Sequence, residues 1–148
     1  MSATFQEIVE AVGNMKEGTA YYYDREDRTL RLRVDPDLVG FANFWMERML
    51  EEDPDRFAKL PSNEEVDPYG IMVSFAETLP EEAKAFKKKL EEAVQGHTAF
   101  KRFKYAVYGS PYERAWKDHK KACYKEIARR WCEENGLAHL CEEEQPGE

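Results

Sequence analysis

One stretch of this chain alternates residue by residue: from Arg28 to Val34, Leu30, Leu32 and Val34 fall on one face and Thr29, Arg31 and Arg33 on the other. Before it lie the Tyr-rich stretch Thr19 to Asp24 and the polar, turn-compatible Asp24-Arg25-Glu26-Asp27. Together they predict a β-hairpin with its leucine face buried. A hairpin alone is marginal in water, so it must be covered. The nearest cover is the preceding segment, where Phe5, Ile8, Val9, Val12 and Met15 recur at helical spacing until Gly13 to Gly18.

Elsewhere the pattern is helical. Asp35-Pro36 is a helix start, the carboxylate capping and the proline filling the first turn. The helix it opens is expected to run to Glu52 with Leu38, Phe41, Phe44, Trp45, Met49 and Leu50. Arg56 to Leu60, bounded by prolines, suits a third, edge-type strand or a connector. Ser62 with Glu65 and Asp67-Pro68 are competing starts for a helix bearing Met72 and Phe75. Pro80 opens another, with Phe86, Leu90 and Val94 inward, ending at Gly96. A third covers Thr98 to Tyr108, and the longest runs from Ser110-Pro111, where Ser110 and Glu113 have capping-box spacing, to Asn135-Gly136. The expected fold is α+β: a hairpin or small three-stranded sheet packed on an N-terminal helix, followed by a helical C-terminal part. One domain is expected over residues 1–141, with an acidic, disordered tail over 142–148.

Charge is segregated along the chain. From Lys84 to Arg130 there are 14 Lys/Arg against 5 Asp/Glu, inside a protein of net charge −8. Local clustering of this kind makes an anion-seeking face whatever the chain total. No apolar run reaches the length of a membrane span, and the N-terminus lacks the basic and apolar regions of a signal peptide, so a cytoplasmic protein is expected. Cys123, Cys132 and Cys141 match no disulfide framework and read as free thiols.

On the long helix Trp116, Cys123, Ile127 and Trp131 form one stripe, and Arg114, Lys117, Lys121, Lys125 and Arg129 the other side. This is the ordinary look of an amphipathic surface helix, and also that of a positive surface for phosphates. Phe100 to Tyr105 interleaves aromatic and basic residues, but Phe100 and Phe103 lie one turn apart and read as core. Lys101, Arg102 and Lys104 between them are the better binding candidates. His119 lies four residues before Cys123, the spacing of a base and a thiol nucleophile on one helical face. Cys132, His139 and Cys141 match no zinc spacing. There is no Gly-rich phosphate loop, nucleophile elbow or H-E-x-x-H, and no cofactor or metal is called for.

The run Gly96 to Lys104, with Tyr108, Trp116, Glu126-Ile127-Ala128, Trp131 and Glu133 to Leu137, resembles the C-terminal signature of UPF0158, an uncharacterised bacterial family. Leu60-Pro61-Ser62, Ile71-Met72 with Phe75, and Leu79-Pro80 are similar to its middle, and the Tyr-rich hairpin to its N-terminal part. The resemblance implies a bacterial source and one continuous domain, and no activity. The function expected is that of a non-catalytic interaction or regulatory module whose basic helical face engages an acidic protein or nucleic acid. The alternative is a small hydrolase or thiol-dependent enzyme working through a site no motif marks. Oligomeric state is not legible.

Overall fold

The computed structural model describes residues 2–40, 43–95 and 98–143. Phe41 of the expected second helix, the expected stop at Gly96 and residues 144–148 of the expected acidic tail lie outside them. The fold is α+β, with a three-stranded antiparallel sheet among helices. The chain forms two compact units, Met1–Val66 with Tyr124–Glu148, and Asp67–Cys123.

The first unit opens with α1 (Phe5–Gly13), capped by Thr4: its hydroxyl accepts from the Glu7 N–H at 3.2 Å, while the Thr4 N–H donates back to the Glu7 carboxylate at 3.3 Å. Its apolar face buries Ile8 and Val12 completely or nearly so. A Cβ on Gly13 would lie 2.9 Å from the Tyr124 ring, so the end of α1 sits against that ring at a distance only glycine allows. Strands β1 (Thr19–Asp24) and β2 (Thr29–Val34) form the expected hairpin, Thr19 opposite Val34 and Asp24 opposite Thr29. The third strand, β3 (Phe57–Lys59), pairs with the other edge of β1.

Neither face of β2 is fully buried. On the leucine face Leu32 is half exposed while Leu30, opposite the buried Tyr23, and Val34 are partly buried, and on the other face Arg31 and Arg33 are partly buried too. The arginine face is covered because both guanidinium groups are bound by acids. Arg31 donates to Asp24 at 2.8 Å and to Asp27 at 2.6 Å, and Arg33 donates to Glu47 at 2.6–3.0 Å.

The helix expected from Asp35 to Glu52 is two. Asp35 caps α2 (Pro36–Val39) as expected, accepting from the Asp37 N–H. The helix then stops at Gly40, whose φ of +78° a residue with a Cβ adopts only at a cost. Asn43 starts α3 (Phe44–Glu52), its side-chain oxygen accepting from the Met46 N–H at 3.1 Å.

Both competing starts in the middle of the chain are used. Ser62 and Glu65 exchange hydrogen bonds around α4 (Asn63–Val66). Asp67, in the left-handed region, caps α5 (Pro68–Thr78), the first helix of the second unit. It is followed by α6 (Lys84–Ala93) and α7 (Ala99–Val107). Their core joins Met72, Phe75, Leu90, Val94, Phe103 and Val107, with Phe75 edge-on to Phe103 at 6.3 Å between ring centroids.

The long helix α8 (Glu113–Glu134) contributes residues to both units. In the second unit Trp116, His119 and Cys123 are partly buried. In the first, Ala128, Trp131 and Cys132 are buried. The expected single stripe is thus right for Trp131, while Trp116 and Ile127 are only half-buried. The helix ends at Asn135-Gly136, where the Leu137 N–H returns to the Cys132 carbonyl at 2.7 Å, and α9 (Ala138–Glu143) follows.

Candidate polyanion-binding face

Residues 93–112 contain no Asp or Glu, and α7 sits within them. Ala99, Phe103 and Val107 recur at four-residue spacing and are buried, which turns Lys101, Arg102 and Lys104 to solvent. Phe100 does not join Phe103 in the core. Three residues make about 300°, leaving Phe100 some 60° off the buried line, and it is 56 % exposed. Tyr105 and Tyr108 are 71 % and 77 % exposed. Phe100, Lys104 and Tyr108 therefore make one row along the helix, and Lys101 and Tyr105 the next. The Lys101 ammonium stands 6.0 Å from the centre of the Tyr105 ring.

The start of α8 adds to this cationic surface. Lys120 lies about 40° from Trp116 on the helical wheel, off the expected basic side, and its ammonium sits 5.2 Å over the Trp116 ring. Burial first, then the charges of Lys104 and Lys117, hold the Lys120 ammonium below the ordinary lysine range. Three ammonium groups from two helices thus share one neighbourhood, and the carboxylate paired there is Glu113, 3.2 Å from Lys117. Glu113 is itself held low, first by the Gly109 N–H and then by Lys117. The capping pair at this helix start is shifted from its expected partners, with Ser110 accepting from the Tyr112 N–H.

The other expected binding residues are engaged differently. Arg114 pairs with Asp118 at 3.3 Å, both well exposed. Arg102 donates to the Gln95 carbonyl at 3.1 Å. Lys121 is exposed, without an ion pair among the described residues. Lys125 and Arg129 belong to the first unit. There Lys125 is exposed, and Arg129 is held between Glu126 and Glu133. Exposed pairs like these contribute little to stability, but each removes a cation from the field a partner would feel.

His119 does meet Cys123, its Nε2 lying 3.5 Å from the sulfur, and the same nitrogen is 2.9 Å from Ser74 Oγ. Ser74 donates its hydroxyl proton to the Ile71 carbonyl at 2.9 Å, and His119 meets the Ile71 backbone as well, so the imidazole is fastened between α5 and Cys123. Burial pushes the Cys123 thiol up, away from the thiolate a nucleophile needs. Burial likewise holds the His119 imidazole below its ordinary value of 6.5. The folded state is then favoured by neutral His119, and this contribution is lost as pH falls from about 6.5 toward the lower folded value. Thermal melts between pH 7.5 and 5 are expected to show a falling midpoint that flattens in His119→Gln. Equal slopes in the two proteins would remove His119 as the source.

Burial raises the Cys132 thiol to about 12, with Cys141 beside it as a hydrogen-bond partner. Among the described residues no group of three His, Cys, Asp or Glu could hold a metal, and no helix is long and apolar enough to cross a membrane.

A family model described as an uncharacterised protein family, UPF0158, matches residues 1–147. No curated protein and no solved structure matches the chain.

Proposed function

This chain belongs to the uncharacterised family UPF0158, which assigns it no activity, and from that premise we propose that it is a non-catalytic interaction module that binds a polyanionic partner. The face is that of α7 and the start of α8, with Lys101, Lys104, Lys117 and Lys120 as its principal cations and Arg102, Arg114 and Lys121 at its margin. The observation that carries this reading is the clustering of exposed cations on and beside residues 93–112, a stretch without Asp or Glu. The chain is acidic overall, and Arg31, Arg33, Arg56 and Arg129 each have carboxylate partners. Lys101, Lys104 and Lys120, by contrast, have none among the described residues and stand close enough for Lys120 to feel Lys104. Crowded like charges with few counterions are relieved by an arriving anion, and association through them is steered and salt-sensitive.

The test is retention on a heparin matrix together with polyglutamate binding. The wild-type protein is expected to bind both, with affinity falling steeply between 50 and 200 mM salt. Reversing Lys104, Lys117 and Lys120 to Glu is expected to abolish retention and leave the circular dichroism spectrum unchanged, since Lys104 and Lys117 are exposed and Lys120 half-exposed. A folded triple variant that binds as the wild type does would overturn the proposal.

A further inference from the structure

We infer that the natural ligand of this face is a single-stranded nucleic acid, whose phosphates meet Lys101, Lys104 and Lys120 while its bases stack on Phe100, Tyr105 and Tyr108; the inference rests on the polyanion-binding reading. The lysines alone do not select among polyanions. The rings do. Three large aromatic side chains exposed by more than half on one nine-residue helix and its cap are costly in water, and the core of this unit has no use for them, because Phe103 and Val107 fill the inner side. They are interleaved with the cations. Phe100, Lys104 and Tyr108 follow one another at about 6 Å of helix rise, and Lys101 leans over Tyr105 in the next row.

An acidic peptide would satisfy the ammonium groups and leave the rings wet. A duplex would offer phosphates too, but its bases are already stacked on one another. An unpaired strand offers both a phosphate chain and free π-faces, and stacking on aromatic side chains beside a basic track is how such strands are held without regard to sequence. The same two elements serve RNA and DNA, since neither a cation nor a ring face distinguishes the sugar.

The experiment is fluorescence anisotropy of the full chain with labelled 12-nucleotide oligo(U) and oligo(dT), a 12-base-pair duplex and polyglutamate. Single strands are expected to bind at least about tenfold tighter than the duplex. Changing Phe100, Tyr105 and Tyr108 together to Ser is expected to weaken single-strand binding by at least about tenfold, with the salt slope and polyglutamate binding unchanged. Tyr105→Phe with Tyr108→Phe keeps the rings and should keep the affinity, which separates stacking from loss of fold. A single strand bound no tighter than the duplex, or a serine variant with full affinity, would overturn the stacking inference while heparin and polyglutamate binding keep the polyanion reading. Loss of binding to every anion in the wild type would overturn both. Oligo(U) and oligo(dT) bound within about threefold of each other are expected; a larger gap would show a contact to the sugar that this face lacks and would overturn it as the whole site.

Discussion

Replacing Asp24 with alanine is expected to lower stability by about 3–5 kcal/mol at pH 7, as removal of one partner from a buried ion pair does. Asp24 ends the central strand β1 and is fully buried. Its carboxylate accepts from the N–H groups of Glu26 and Asp27 at 3.0 and 3.1 Å, which closes the hairpin turn. It also accepts from Arg31 Nε at 2.8 Å and from both Nε and Nη2 of Arg56 at 2.8 and 2.9 Å. Arg31 and Arg56 in turn face the Trp45 ring at 4.5 and 5.5 Å. One carboxylate therefore ties the turn, both edge strands and α3 together. Its removal leaves the two guanidinium groups beside a cavity with only the exposed carboxylates of Asp27 and Glu26 as partners.

Protonation should do part of what the substitution does. Burial by itself would raise the Asp24 carboxyl, but the hydrogen bonds from Arg56 and Arg31 and from the turn N–H groups outweigh it and hold the group well below the usual carboxylate range. A lowered folded value means stability that is complete above the unfolded value of about 3.9 and drains away as pH falls below it. Urea titrations of wild type and Asp24→Ala are thus expected to be widely separated at pH 7 and to approach one another below about pH 4. Curves that stay parallel to pH 2.5, or a cost below about 1 kcal/mol at pH 7, would show that the network does not bear on stability.

Local signals were legible wherever a residue's partner lies within one turn of it. Asp35 and Asp67 cap the helices they precede, and Ser62 reads Glu65 three residues on. The hairpin and the stop at Asn135-Gly136 rest on equally local chemistry. Periodicity fell short where burial is decided by a distant partner. Alternation within Arg28 to Val34 marks the leucine face but cannot report that Arg31 and Arg33 are covered as well, because that cover comes from Asp24 and Glu47, and Arg56 reaches Asp24 across 32 positions. The break at Gly40 and Asn43 carried its own local marks, a left-handed glycine and an N-cap, masked by the apolar residues on both sides. On α8 the expected stripe includes Trp131 and misses Ala128 and Cys132, which are buried although the helical wheel puts them off that stripe. The candidate face was legible in its charges at Lys101, Arg102 and Lys104, but not in its rings. Phe100 differs from Phe103 only by where the neighbouring helices α5 and α6 supply a core.

Trp131 offers a second large effect, with a pair of substitutions that separates two contributions. Trp131 is 5 % exposed, and its indole N–H donates to the Lys59 carbonyl on β3 at 2.7 Å. It stands in the last turns of α8, where Asn135 caps its carbonyl at 2.8 Å and Arg25, from the hairpin turn, donates to the Asn135 carbonyl at 2.9 Å. A cation at a helix C-terminus is favourable, so hairpin and helix are joined there by charge as well as by packing. Trp131→Ala removes the ring and leaves a void against the edge strand, for which about 3–5 kcal/mol is expected. Trp131→Phe keeps most of the buried area but not the donor, and is expected to cost about 1 kcal/mol for the hydrogen bond, plus the smaller ring's lost contacts. If burial dominates, the alanine variant is therefore the much weaker of the two in urea. If the bond to Lys59 dominates, the two fall together, and the indole would then have to be counted as a clamp on the edge of the sheet before it is counted as core.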